Sequence, residues 1–328
     1  MDMFFRFLEA AVLAGTPLLF GTVGEIMHEK AGHLNLGVEG MMAMGACAGF
    51  MVGYKTNQFA LALLAAFMAG VLGSLIYSIL TVTFMANQNV TGLTLTIFGT
   101  GISNFFGEYM LTKAGGDSLK LPETITAQIS NIKIPVLSDI PVVGSLLFSY
   151  NPFVYIGVII AIACAVYLFK TRQGLNLRAI GENPAAADAA GIPVARLKYS
   201  NMLIGGGICG IGGAYCSMII CGGVWMNNSV NGMGWIAVAL VIFATWNPAK
   251  AIIGSFVFGA FNILKYYVPK EAVSLGGIPI PVISIPNAFY DMLPFVVTAL
   301  VLVITSMKQS REKTQPAACG INYFREER

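Results

Sequence analysis

Charge is what this chain has least of. Of its 328 residues only 11% are Asp, Glu, Lys or Arg, where a soluble domain carries about a quarter. A water-exposed surface of ordinary size cannot be built from so few ions. Histidine is nearly absent, with two copies, so a histidine-based metal centre is poorly supplied. The six cysteines form no CxxC pair, and most lie in or beside apolar runs, where they read as small buried hydrophobes. The chain has no G-x-x-x-x-G-K-[ST] phosphate loop, no HExxH and no suitably placed GxSxG, which speaks against ATP hydrolysis and against common hydrolytic chemistries in this chain. The N-terminus has neither a strong basic leader nor an A-x-A cleavage site, so it reads as a first membrane segment.

Apolar residues fill the gap: 56% of the chain is hydrophobic. Runs fit to cross a bilayer lie near 8–24, 36–54, 60–85, 92–110, 151–169, 200–221, 234–246, 251–268 and 290–307. The expected fold class is an all-α polytopic membrane bundle of about nine segments, with 234–246 short enough to be a half-helix. Chain 1–328 reads as a single transmembrane domain with a long loop at 113–150, where the 134–144 stretch lies along the membrane surface. Lys170, Arg172, Arg178, Arg196 and Lys198 mark the 170–199 loop as cytoplasmic, and Lys308, Arg311, Lys313, Arg325 and Arg328 mark the 308–328 tail likewise. Four segments separate the two, so the parity agrees, and counting backwards puts the N-terminus outside.

The stretch AGHLNLGVEGMM, 31–42, sets a carboxylate at the start of a charge-free apolar run. Asn35 is suited to capping a helix and Glu39 to its first turn, where the dipole favours a negative charge. Gly37 and Gly40 allow close approach or a broken helix. Glu39 is therefore either an ordering device at an irregular helix start or a lining residue of a path. Glu25, His28, Glu29 and Lys30, just before it, read as a solvated turn rather than a metal site.

The segment 87–110 is apolar yet carries Thr96, Thr100 and Asn104 about four apart, so one helix face is polar, with Phe98 adding aromatic surface. Such a face can hydrogen-bond a neighbouring helix or present stacking and hydrogen-bonding groups to a small molecule. The glycine run 205–215 reads as close helix packing, Trp225 and Trp235 as interface anchors, and Asn227, Asn228 and Asn231 as an alternative outer-mouth lining. Within the basic loop, Asn183 can cap a short helix, Pro184 suits its first turn, Ala187 and Asp188 lie inside it, and Gly191 closes it. Two turns of helix do not persist alone in water, so something must hold them. This helix suits relaying motion from a soluble partner.

AGHLNLGVEGMMAMGA, 31–46, resembles the G-x-x-N-L-G-x-E-G start of a membrane helix, and GLNLRAIGENPAAADAAGIPVARLKY, 174–199, resembles the coupling loop, of bacterial ABC-importer permeases for nucleosides and simple sugars, kin of the branched-chain amino acid permeases. The resemblance covers essentially the whole chain. It implies the type II importer fold and alternating access in the bacterial cytoplasmic membrane, with lipid around it. It implies ATP-binding subunits docked at Glu182, Asn183, Pro184, Ala187, Asp188 and Gly191. It also implies a second permease, related or identical, and an extracellular or periplasmic substrate-binding protein. The cargo would be a small molecule: a nucleoside first, then simple sugars or riboflavin-like compounds. Neither a cofactor, a metal nor nucleic acid is expected. An ion-driven carrier fits less well, because charges within the segments are few and no inverted repeat is evident.

Overall fold

Helix α1, Asp2–Lys30, begins the chain and runs past its apolar stretch to its own basic end. The computed structural model describes residues 2–132 except 117, then 144, 148–268, 273–275, 278–280, 286–307 and 314–324. The surface stretch expected at 134–144 and the tail cations Lys308, Arg311, Lys313, Arg325 and Arg328 lie outside the described residues, apart from Gly144. Pro17 sits inside α1 and has no N–H for the carbonyl of Leu13. The hydroxyl of Tyr215 donates to that carbonyl instead, at 2.9 Å.

The helices that follow are α2 Val38–Thr56, α3 Phe59–Ser78 and α4 Gln88–Lys113, with a π-turn at Ile79–Thr83 ending α3. A short α5, Glu123–Gln128, precedes α6, Pro152–Lys170. Two small helices, α7 Arg172–Glu182 and α8 Pro184–Ala189, lead to α9, Val194–Tyr215. Then come α10 Met233–Phe243, α11 Pro248–Tyr267 and, after a β1–β2 hairpin (Val273–Leu275 with Ile278–Ile280), α12 Asn287–Met307. A helix thus occupies each of the nine apolar runs. Four stretches are long and apolar enough to cross a membrane: Met3–Lys30, Phe59–Thr83, Pro152–Lys170 and Val194–Ile220.

Helix α9 and the π-turn after it form the centre. Of the most apolar window there, 78% is buried, against 28–39% in the other three. Its glycines account for this. A Cβ on Gly205 would stand 2.6 Å from the Gly24 carbonyl of α1, and one on Gly206 would stand 2.7 Å from the Gly70 carbonyl of α3. Real side chains do not tolerate such distances, so the helices meet backbone to backbone. The packing reading of 205–215 is what the structure has. All six cysteines are free, four of them buried and two partly so.

Four expectations are corrected. Glu25, His28 and Glu29 are not on a solvated turn; they are 0%, 0% and 3% exposed, because α1 continues through them and the 31–37 link folds back over it. Glu25 accepts from the Asn35 amide at 2.8 Å, His28 bonds Gly24 and Ser74, and Glu29 accepts from the Trp246 indole. Trp225 is no interface anchor; it is buried and edge-on to Phe50 at 5.4 Å. The basic loop holds a second helix, α7, capped by Thr171, which accepts from the Gly174 amide at 3.0 Å. Lys198, counted by sequence as a loop cation, lies buried at the start of the second turn of α9.

The tail also returns to the basic end. The amide of Ala318 donates to Gly181 at 2.9 Å, the Asn322 amide group donates to Met85 and Ala86, and Tyr323 donates to Asp188 at 2.9 Å. The α3–α4 turn, the α7–α8 link and the described part of the tail therefore meet at one end.

Candidate functional site

Helix α2 does not start at the basic end. A Cβ at Gly21 would lie 3.3 Å from Met42 and 3.6 Å from Val38. Gly21 is nine residues before the end of α1, about 13 Å at 1.5 Å per residue. The 31–37 link therefore runs back into the protein, with Ala31, Gly32, His33, Asn35 and Gly37 buried or nearly so. Irregular backbone at that depth is tolerated only where protein or a water-filled cavity satisfies it. Here protein does so. Asn35 Oδ1 accepts from the Gly37 amide at 2.9 Å, Gln88 accepts from the Leu34 amide at 2.8 Å, and Tyr77 and Thr96 donate to the carbonyls of Leu34 and Leu36.

Glu39 has a partner that sequence spacing could not name. Its two carboxylate oxygens accept from the backbone N–H groups of Gly232 and Gly234, each at 2.7 Å. These amides open α10, whose N-cap is Gly232 in the left-handed conformation, φ 84°. Glu39 therefore supplies the capping acceptors and the countercharge for a short helix that begins inside the bundle. Gly234 has to be glycine, since a Cβ there would stand 2.5 Å from Glu39 Cα. Within α10 the Ala237 carbonyl accepts from the Thr22 hydroxyl at 3.0 Å, and the turn after the helix brings the Trp246 indole to Glu29. The 234–246 segment is thus a short helix starting at depth.

Thr96, Thr100 and Asn104 share one face of α4, and Glu108 extends it by another turn. All are at least partly exposed. The chain leading down to α10 runs beside this face. Asn104 Nδ2 donates to Asn228 Oδ1 at 2.9 Å and Asn104 Oδ1 accepts from the Asn228 amide at 3.0 Å, while Asn227 donates to Glu108. Thr100 bonds back within its own helix to Thr96 at 2.8 Å. Phe98, Phe105, Phe106 and Tyr109 are exposed too, but point mostly away from this face. The result is a ladder of hydroxyls, amides and one carboxylate, open at the side of the chain. Asn35 is internal to the 31–37 link, so the structure separates it from this ladder. Glu108 was missed by sequence, because a lone acid near a helix end carries no signal by itself.

At the basic end, Asn183 caps α8 by accepting from the Ala186 amide at 2.9 Å, Pro184 is its first residue and Gly191 is left-handed at φ 80°. Glu182 receives the Ala317 amide at 3.4 Å, and Asp188 receives Tyr323. Ala187 points inward against Ile180 and Val194. The outward face consists of Ala186, Ala189 and Ala190. What holds this short helix is its own chain: α7, the start of α9 and the tail.

These features define a multi-pass transport subunit, with a broken helix at depth and a polar side face. Comparison with known proteins fixes the family: residues 7–302 match, and the chain belongs to the branched-chain amino acid transport system permease components. It is 32% identical to a nucleoside ABC transporter permease of Lactococcus lactis, over 96% of this chain and 95% of the relative. It is 34% identical to a guanosine ABC transporter permease of Bacillus subtilis, over 89% of each, and 32% identical to a candidate glucose ABC transporter permease of Haloferax volcanii, over 97% of each. The chain is a transport subunit of the cell membrane, and ATP hydrolysis sits in separate subunits. Membership implies ATP-binding subunits and a substrate-binding protein as its partners.

Proposed function

We propose that this chain forms one half of the translocation path of an ATP-driven nucleoside importer. The observation that carries the reading is the open polar ladder Thr96, Thr100, Asn104 and Glu108 with Asn227 and Asn228. Lipid cannot hydrogen-bond these groups, so a polar side chain at that depth faces either water or another protein. A second permease subunit, related or identical, placed against this face would enclose the ladder as a conduit. Amides match the edges of a purine and the ribose hydroxyls. Nucleoside and guanosine permeases among the relatives support that cargo; a sugar, the cargo named for the Haloferax relative, is the second reading.

The basic end faces the cytoplasm in this reading, with the C-terminus inside, and the outward face of α8 meets the ATP-binding subunits. Glu182, Asn183, Pro184, Asp188 and Gly191 shape that surface, and Ala187 anchors it from beneath. Asn35 and Glu39 act by ordering the broken helix rather than by touching cargo. The test is uptake of a radiolabelled purine nucleoside by cells carrying the whole system, with and without this chain, competed by free base, ribose, glucose and riboflavin. Loss of uptake on deletion with competition by nucleosides alone is expected. Uptake unchanged by deletion would overturn the cargo assignment, and competition by glucose alone would give first place to the sugar.

A further inference from the structure

Behind α8 lies a cavity of about 480 Å³, within the range of small-molecule sites. Its walls come from four separate parts of the chain: the 31–37 link, the end of α3, the α8–α9 link and the tail. Two buried polar side chains line it. His33 is 1% exposed, and both of its ring nitrogens lack a hydrogen-bond partner. Lys198 is 3% exposed. Among the described residues it has neither an ion-pair nor a hydrogen-bond partner, and the same is true of Arg196 on the rim.

A buried lysine without a counter-ion is expensive, and so is a buried imidazole with neither nitrogen satisfied. The one acid on the wall does not relieve them, because Asp188 is engaged by the Tyr323 hydroxyl at 2.9 Å. The wall therefore carries more positive than negative charge, set among apolar residues, and is open on one side. Burial and the neighbouring charges of Lys198 and His28 hold the imidazole of His33 well below its usual range, so it is a neutral ring with one N–H to give. An anion seated among them would accept from Lys198, from Arg196 and from the single N–H of His33.

We propose that this cavity is a binding site for a phosphate group, with Lys198 and His33 as its inner donors and Arg196 closing the rim. Phosphate offers several acceptor oxygens and spread negative charge, which suits a lysine point charge facing a forked guanidinium. Such a group could arrive as a small cytoplasmic phosphate ester or as the headgroup of an anionic lipid. The occupant would touch the Gly191–Val194 link, which joins α8 to α9, and so would fasten α8 to the bundle. The inference does not depend on which cargo the permease carries.

The test uses the assembled transporter in phosphatidylcholine nanodiscs. The readout is the extent of amine modification at Lys198, followed by peptide mass spectrometry, with exposed Lys55 as the internal reference. Inorganic phosphate and a nucleoside 5′-monophosphate are the soluble probes, chloride at equal ionic strength is the control, and phosphatidylglycerol nanodiscs are the lipid arm. Selective protection of Lys198 by a phosphate probe is expected. Removing a charge-assisted contact with Arg196→Ala, on the rim where folding is not at stake, should raise the half-protecting concentration about tenfold. Protection in the phosphatidylglycerol discs alone, still weakened by Arg196→Ala, would assign the phosphate to lipid. Equal protection by chloride, no protection by any phosphate source, or protection unaltered in Arg196→Ala would overturn the assignment.

Discussion

Replacing Glu39 separates ordering of a helix from contact with cargo. Its carboxylate holds two backbone N–H groups at 2.7 Å each, at a site 7% exposed. Hydrogen bonds to a charged group contribute about 1.5–3 kcal/mol each, so Glu39→Ala should remove about 3–6 kcal/mol from the native state. Loss of the countercharge at the start of α10 adds about 0.3–1 kcal/mol. That is a large part of a typical stability of about 5–15 kcal/mol. Glu39→Gln keeps one carbonyl acceptor but turns an amide NH₂ toward the second N–H, so it should lose roughly half as much. The assay pairs thermal unfolding of the purified transporter with uptake kinetics in cells. Stability should fall in the order wild type, Gln, Ala, with uptake falling as the amount of folded protein falls and KM nearly constant. A variant of unchanged melting temperature with a raised KM would refute the capping argument and return Glu39 to the path.

Three further outcomes follow from the same geometry. Asn104→Ala removes both bonds that tie α4 to the descending chain, and Asn228→Ala removes the side-chain bond while its backbone N–H remains; each should raise the uptake KM several-fold, about 1 kcal/mol per lost bond and more for Asn104→Ala, while surface expression holds. Ala186→Arg, on the outward face of α8, should abolish nucleoside uptake and transport-coupled ATP hydrolysis with stability unchanged; Ala187→Arg should instead lower the melting temperature, because it forces a charge between Ile180 and Val194. Gly205→Leu should prevent folding outright, since even its first carbon would meet the Gly24 carbonyl at 2.6 Å, and no folded protein should be recovered by size-exclusion chromatography.

Much of this architecture is written locally. Apolar runs locate every long helix, and Asn183, Pro184 and Gly191 mark α8 because capping depends on residues a few positions apart. The glycine run of α9 announces close packing for the same reason. What escaped sequence reasoning depends on distant partners. Glu39 looked like a device of its own helix, and its amides lie 193 and 195 residues further on. Glu25, His28 and Glu29 looked like a turn because polar residues at a helix end ordinarily are one; a link that doubles back over them carries no composition signal. Tyr323 and Asp188, 135 residues apart, could not be paired from spacing. The polar face of α4 was legible as a stripe, whereas its neighbours Asn227 and Asn228 read only as a polar stretch of uncertain place.

The contacts of α9 with α1 and α3 bear on how such a machine can move. Interlocking side chains can ratchet past each other by changing rotamer, but carbonyls seated against α-carbons have no rotamers to change. The same close approach joins α2 to α9, where a Cβ on Gly45 would stand 2.2 Å from the Gly210 carbonyl, and α4 to α2, where one on Gly99 would stand 2.4 Å from the Gly40 carbonyl. These five helices are thus geared to travel as one rigid chassis, and α8, riding on the N-terminal end of α9, would feel it directly.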